Sequence, residues 1–63
     1  MATRRFVFTC RLCGAAILTT AGLDDADLAR LREHVRDVHP REELGPDAGI
    51  AEILAHYRAS VAP

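Results

Sequence analysis

The sequence predicts a small α+β domain: a short hairpin, then a long helix, then an added C-terminal helix. Three observations carry this reading. Residues 5–10, Arg-Phe-Val-Phe-Thr-Cys, alternate as a strand does, and residues 15–20, Ala-Ala-Ile-Leu-Thr-Thr, supply a return strand. Leu28, Leu31, Val35 and Val38 recur at steps of three and four, which is the stripe of an amphipathic helix. Cys10 and Cys13, with two residues between them, are answered across a twenty-residue spacer by His34 and His39. Two thiols and two imidazoles in that order are ligand types of a tetrahedral zinc site, so the expected domain is metal-stabilised.

Sixty-three residues make one domain at most. The expected organisation is a hairpin–helix unit over 1–40, a linker over 41–46 and a C-terminal helix over 47–60 packed on the same domain. A core this small often needs a staple. One structural Zn2+ contributes on the order of 10–16 kcal/mol, enough to decide folding. The net charge of −1 argues against a strongly basic nucleic-acid module. Two closely spaced Cys are too few for a secreted disulfide scaffold of this size, so a reducing, cytoplasmic compartment is expected. Thr3-Arg4-Arg5-Phe6-Val7-Phe8 has a trace of a twin-arginine export signal, but Arg11 interrupts the apolar stretch behind it. No run approaches the ~18 apolar residues of a membrane span.

Phe6, Phe8 and Cys10 share one side of the first strand, with Val7 and Thr9 on the other. Gly14 follows the second thiol, where the chain must turn tightly and a positive φ is expected. Ala21-Gly22 breaks the return strand. Asp24 is a good helix N-cap, Asp25 and Asp27 set negative charge on the positive end of the helix dipole, and Leu23 and Leu28 stand in the positions of a hydrophobic staple. Pro40 stops the helix and pushes His39 out of helical geometry. That matters for ligation: five positions along an ideal helix rotate the second ring about 140° from the first, so His39 reaches the site of His34 only through a loosened last turn. Gly45 and Pro46 mark a turn. Ile50, Ile53, Leu54, Tyr57 and Val61 then follow a helical period.

These residues resemble a two-Cys, two-His (C2H2-type) zinc finger of the ββα kind. Phe8-Thr9-Cys10 matches the aromatic-x-Cys lead, and Leu31-Arg32-Glu33-His34 matches the Leu-x-x-His of the finger helix. The resemblance covers about residues 6–39 and excludes the C-terminal helix. A common finger has about twelve residues between the second Cys and first His; twenty stand here, as in longer-spaced fingers such as the BED type. A longer loop and an earlier helix start place the extra residues. The resemblance implies one structural Zn2+ held by Cys10, Cys13, His34 and His39. It also implies base-facing positions at Asp27, Arg30 and Glu33.

Each motif has a plainer reading beside it. The thiols can be small buried groups and the imidazoles surface residues, but four ligand-type side chains would then coincide by chance. A thioredoxin-like redox pair lacks the surrounding βαβ pattern. His56 is a possible further ligand that can replace His39. Two acids among the three base-facing positions disfavour groove reading, and the helix surface otherwise reads as a solvated mixed-charge face. The expected function is a non-catalytic zinc-binding module with a protein-interaction or regulatory role. The alternative is a nucleic-acid-binding regulator using Arg4, Arg5, Arg11, Arg30 and Arg36. Four good ligands leave no open position for zinc catalysis, and no small-molecule substrate or membrane is expected.

Overall fold

A computed structural model describes residues 4–63; Thr3 of the arginine-pair motif and the start of the 1–40 unit lie outside the described residues. The chain runs β1 (Phe6–Cys10), β2 (Ala16–Thr20), α1 (Asp25–Val38), a 3-10 turn (Pro40–Glu42), α2 (Ile50–Leu54) and β3 (Tyr57–Val61). The strands form one antiparallel sheet in the order β2-β1-β3, and α1 packs against β2 while α2 packs against α1 and β3.

The alternation of β1 sets which side is buried. Phe8 and Cys10 face the core, paired across β3 with Ala59 and Tyr57. Between Phe8 and Thr9 the register with β2 shifts: Phe8 meets Leu18, but Thr9 meets Ala16. The extra residue is Ile17. A bulge of this kind bends the strand, and Ile17 packs at the core's margin beside buried Leu18.

The helix start follows its sequence signals. The Asp24 carboxylate accepts from the Asp27 N–H at 2.8 Å, and the Asp27 carboxylate faces the Asp24 N–H and accepts from the Thr20 hydroxyl at 3.0 Å. This reciprocal cap satisfies backbone donors that a helix leaves unpaired and ties the end of β2 to α1. Of the apolar stripe, Leu31 and Val35 are fully buried, whereas Val38 is 57% exposed.

Two expectations for the second half are corrected. The C-terminal helix over 47–60 is only five residues long, and Tyr57–Val61 is a strand instead. Tyr57 and Val61 lie four apart, a spacing that suits one face of a helix and equally one face of a strand. The open edge of β1 decides between them, because pairing there satisfies backbone groups that would otherwise lie unpaired. His56 marks the switch. Its N–H bonds to the Ile53 carbonyl at 3.1 Å, not to Glu52, and its ring Nδ1 takes the Glu52 carbonyl at 2.9 Å. The side chain therefore caps the carbonyl that a continuing helix would have used.

The expected linker over 41–46 also contributes to the core. Glu43 adopts a left-handed conformation at φ 54°, and the chain behind it buries Leu44 among Phe8, Leu31, Val35, Ile53 and Tyr57. Among the described residues, no helix is long and apolar enough to cross a membrane.

Candidate metal centre

The first half of the site is built by the turn after β1. The Gly14 N–H bonds back to the Cys10 carbonyl at 2.8 Å, and the Cys10 N–H bonds to the Ala15 carbonyl at 2.9 Å. Gly14 takes φ +76°, a conformation that a side chain would strain. The turn is held from outside as well, by the Arg11 N–H on the His56 carbonyl at 3.0 Å. Cys10 is fully buried, Cys13 is exposed, and both are free thiols.

The second half comes from the end of α1. His34 lies in the last helical turns. His39 keeps a helical hydrogen bond from its N–H to the Val35 carbonyl at 2.9 Å, yet turns away at φ −124°, ψ 59° before Pro40. That departure cancels the rotation which an ideal helix would impose. The two rings come to 5.2 Å between centroids, nearly edge to face at 75°.

The four ligand atoms of Cys10, Cys13, His34 and His39 lie within 4.8 Å of one another. Cys10 Sγ stands 3.5 Å from His39 Nε2, and Cys13 Sγ stands 3.5 Å from His34 Nε2. A tetrahedral zinc with Zn–S near 2.3 Å and Zn–N near 2.0–2.1 Å requires S···N edges of about 3.5–3.6 Å. Both crossed pairs meet that length, and both rings present the same nitrogen. Two of the six ligand–ligand edges thus match a tetrahedral ion, and the donor set could hold one metal. The same pairs allow a thiol S–H to donate to imidazole.

Burial, and secondarily the neighbouring His39, hold the His34 ring below its ordinary pKa of 6.5, favouring the neutral form that a metal requires. Tyr57 borders the cluster. Its hydroxyl donates to the Leu31 carbonyl at 2.6 Å, and its ring lies 6.5 Å from His34. Burial, then the charge of Cys10 and Cys13, push its phenol up to about 12.

His56 lies outside the cluster. With Nδ1 on the Glu52 carbonyl and Nε2 at 3.4 Å from a Glu42 carboxylate oxygen, its ring is engaged away from the thiols. It acts on the site through its backbone carbonyl, which steadies the turn at Arg11. Sequence reasoning missed this tie, and also Tyr57's place beside His34, because both depend on β3 pairing.

Asp27, the first of the base-facing positions, is engaged in the helix cap, while Arg30 and Glu33 are exposed. A shallow cleft of about 350 Å3 flanks His39, lined by Leu12, Val38, Pro40, Arg41 and Glu42. Leu12 is 45% exposed.

A scan against protein-family models finds no match, and searches of curated proteins and of solved structures return none either.

Proposed function

We propose that the chain is a zinc-stabilised binding module in which the metal is structural, with a protein-interaction or regulatory role. The observation that carries this is the pair of crossed S···N distances of 3.5 Å, made by a turn and a helix end that are distant in sequence. Cys10 and Cys13 would bind as thiolates and His34 and His39 as neutral imidazoles, completing four-coordination with protein ligands alone. Zinc supplies cross-linking there rather than a site for substrate, so the reading is non-enzymatic. The partner reading is supported by Leu12 and Val38, apolar side chains left exposed beside the metal ligands. Two free thiols in this role suit a reducing compartment such as the cytoplasm.

The nucleic-acid alternative in its helix-reading form draws no support from Asp27, whose carboxylate is committed to the Asp24 cap and Thr20. Metal analysis and far-UV circular dichroism test the zinc reading. The intact chain is expected to hold one zinc per chain, and Cys13→Ala to lose both the metal and most ordered signal. A metal-free Cys13→Ala protein with the ellipticity of the parent would sink it.

A further inference from the structure

The net charge of −1 conceals a division. Every acid in the chain falls between Asp24 and Glu52, the stretch that forms α1, the 3-10 turn and the start of α2. Nine acids against four Arg leave −5 there. The strands and their flanks, residues 4–23 and 53–63, carry Arg4, Arg5, Arg11 and Arg58 with no acid, a charge of +4. Among the described residues none of these four Arg forms an ion pair.

The sheet gathers three of them. Thr9 pairs with Arg58 and Val7 with Ser60, on the face opposite core-facing Phe8, Cys10 and Tyr57. Thr19 joins that outer face opposite Val7. Arg5 continues the alternation, its carbonyl accepting from the Ala62 N–H at 2.8 Å. Arg11 and Arg58 together line a depression of about 380 Å3 with Thr9, Cys10 and Gly14. Thr19, Arg58 and Ser60 are exposed.

We propose that this outer sheet face binds the sugar–phosphate backbone of a nucleic acid, with Arg5, Arg11 and Arg58 each engaging one phosphate. Arginine forks and hydroxyls suit phosphate oxygens. Among the described residues the face carries, beside half-buried Val7, no large apolar or aromatic anchor of the kind a protein interface is built on, and no apolar stripe to enter a membrane surface. The aromatic rings of Phe8 and Tyr57 face the core and exposed Phe6 alternates onto their side of β1, so the outer face offers bases no stacking platform, and binding is independent of sequence. Arg5 and Arg11 are separated by about 20 Å of extended chain, or about six base steps at ~3.4 Å each. The acid-rich helical side repels the same polyanion and so orients the approach. This goes beyond the module reading and rests on the zinc-held fold for its strand order.

Fluorescence anisotropy of the zinc-loaded full chain tests it, using a labelled 20-nucleotide single strand and the matching duplex between 50 and 200 mM salt. Three phosphate contacts predict log–log slopes of about −2 for the single strand and −3 for the duplex, a loss of roughly 20- to 40-fold across that range. Arg11→Gln with Arg58→Gln should reduce the slope by about 2, while Arg30→Gln with Arg36→Gln on α1 should leave it unchanged. Zinc stoichiometry and circular dichroism of every protein separate loss of the fold from loss of the surface. If the double variant loses zinc, Arg58→Glu alone, at an exposed edge position, is held to the same comparison. The proposal is overturned if the parent binds neither strand at 50 mM salt, or if a folded variant keeps the parent slope. It is equally overturned by tighter binding to poly-glutamate or to phosphatidylserine vesicles than to nucleic acid.

Discussion

Tyr57 illustrates how one side chain ties separate elements together. It begins β3, pairs with Cys10, and sends its hydroxyl to the Leu31 carbonyl of α1. Tyr57→Phe removes that bond and leaves the carbonyl with its helical partner alone. The expected cost is about 1 kcal/mol, read by urea unfolding of the zinc-loaded protein, with zinc stoichiometry unchanged. The raised phenol has a consequence of definite sign. Its neutral form is favoured in the fold, so the contribution is whole below pH 10 and is lost as pH rises through about 12. At this scale the four Cys and His residues were legible in the sequence because ligand chemistry restricts which side chains serve. Leu44 was not. Nothing in Glu43-Leu44-Gly45 distinguishes a buried leucine from an exposed one until the left-handed turn at Glu43 directs it inward.

At the level of elements, signals that act locally were readable and pairings that act at a distance were not. Asp24 announces the start of α1 and Pro40 its end because a cap and a missing donor work within a turn of their own position. The end of α2 depends on His56 and on a strand edge more than forty residues earlier in the chain. The run Ile50–Ala59 carries good helix formers at Ala51, Glu52, Leu54, Ala55, Arg58 and Ala59, so beyond Leu54 the sheet overrides much of the local preference. His56→Ala is expected to destabilise the zinc-loaded domain by about 0.5–1.5 kcal/mol through loss of the cap on Glu52. It should also speed amide exchange at Arg11 and across 57–62 in NMR measurements. Unchanged protection in β3 would show that the imidazole is not what fixes the boundary. Similarly, α1 was placed correctly while the bulge at Ile17 went unseen, since a register shift arises between strands and leaves no mark on either one alone.

For the molecule as a whole, the candidate metal site and the hydrophobic core are one structure. Cys10 belongs to the core cluster and to the ligand set, and Val35 lies between the two histidines in sequence and fully inside the core. Acid should therefore unfold the domain and release zinc together. His34 sits below its ordinary 6.5, so the unfolded chain binds more protons between the two values. The contribution of His34 is whole above 6.5 and falls as pH drops through its lowered pKa, while protons also compete with the metal for ligands. Parallel circular dichroism and zinc-release titrations from pH 7.5 downward should show coincident transitions; zinc release that leaves the circular dichroism unchanged would contradict this coupling.

The two thiols are not equivalent. Cys10 is sealed within the central strand, paired with Tyr57 of β3 and with its own N–H on the Ala15 carbonyl, whereas Cys13 stands in the open at the end of its turn. Cys13 offers a competing chelator or oxidant the more open of the two thiols. For a metal held here, a competitor would meet Cys13 first, and Cys10 would be the last thiol to let go.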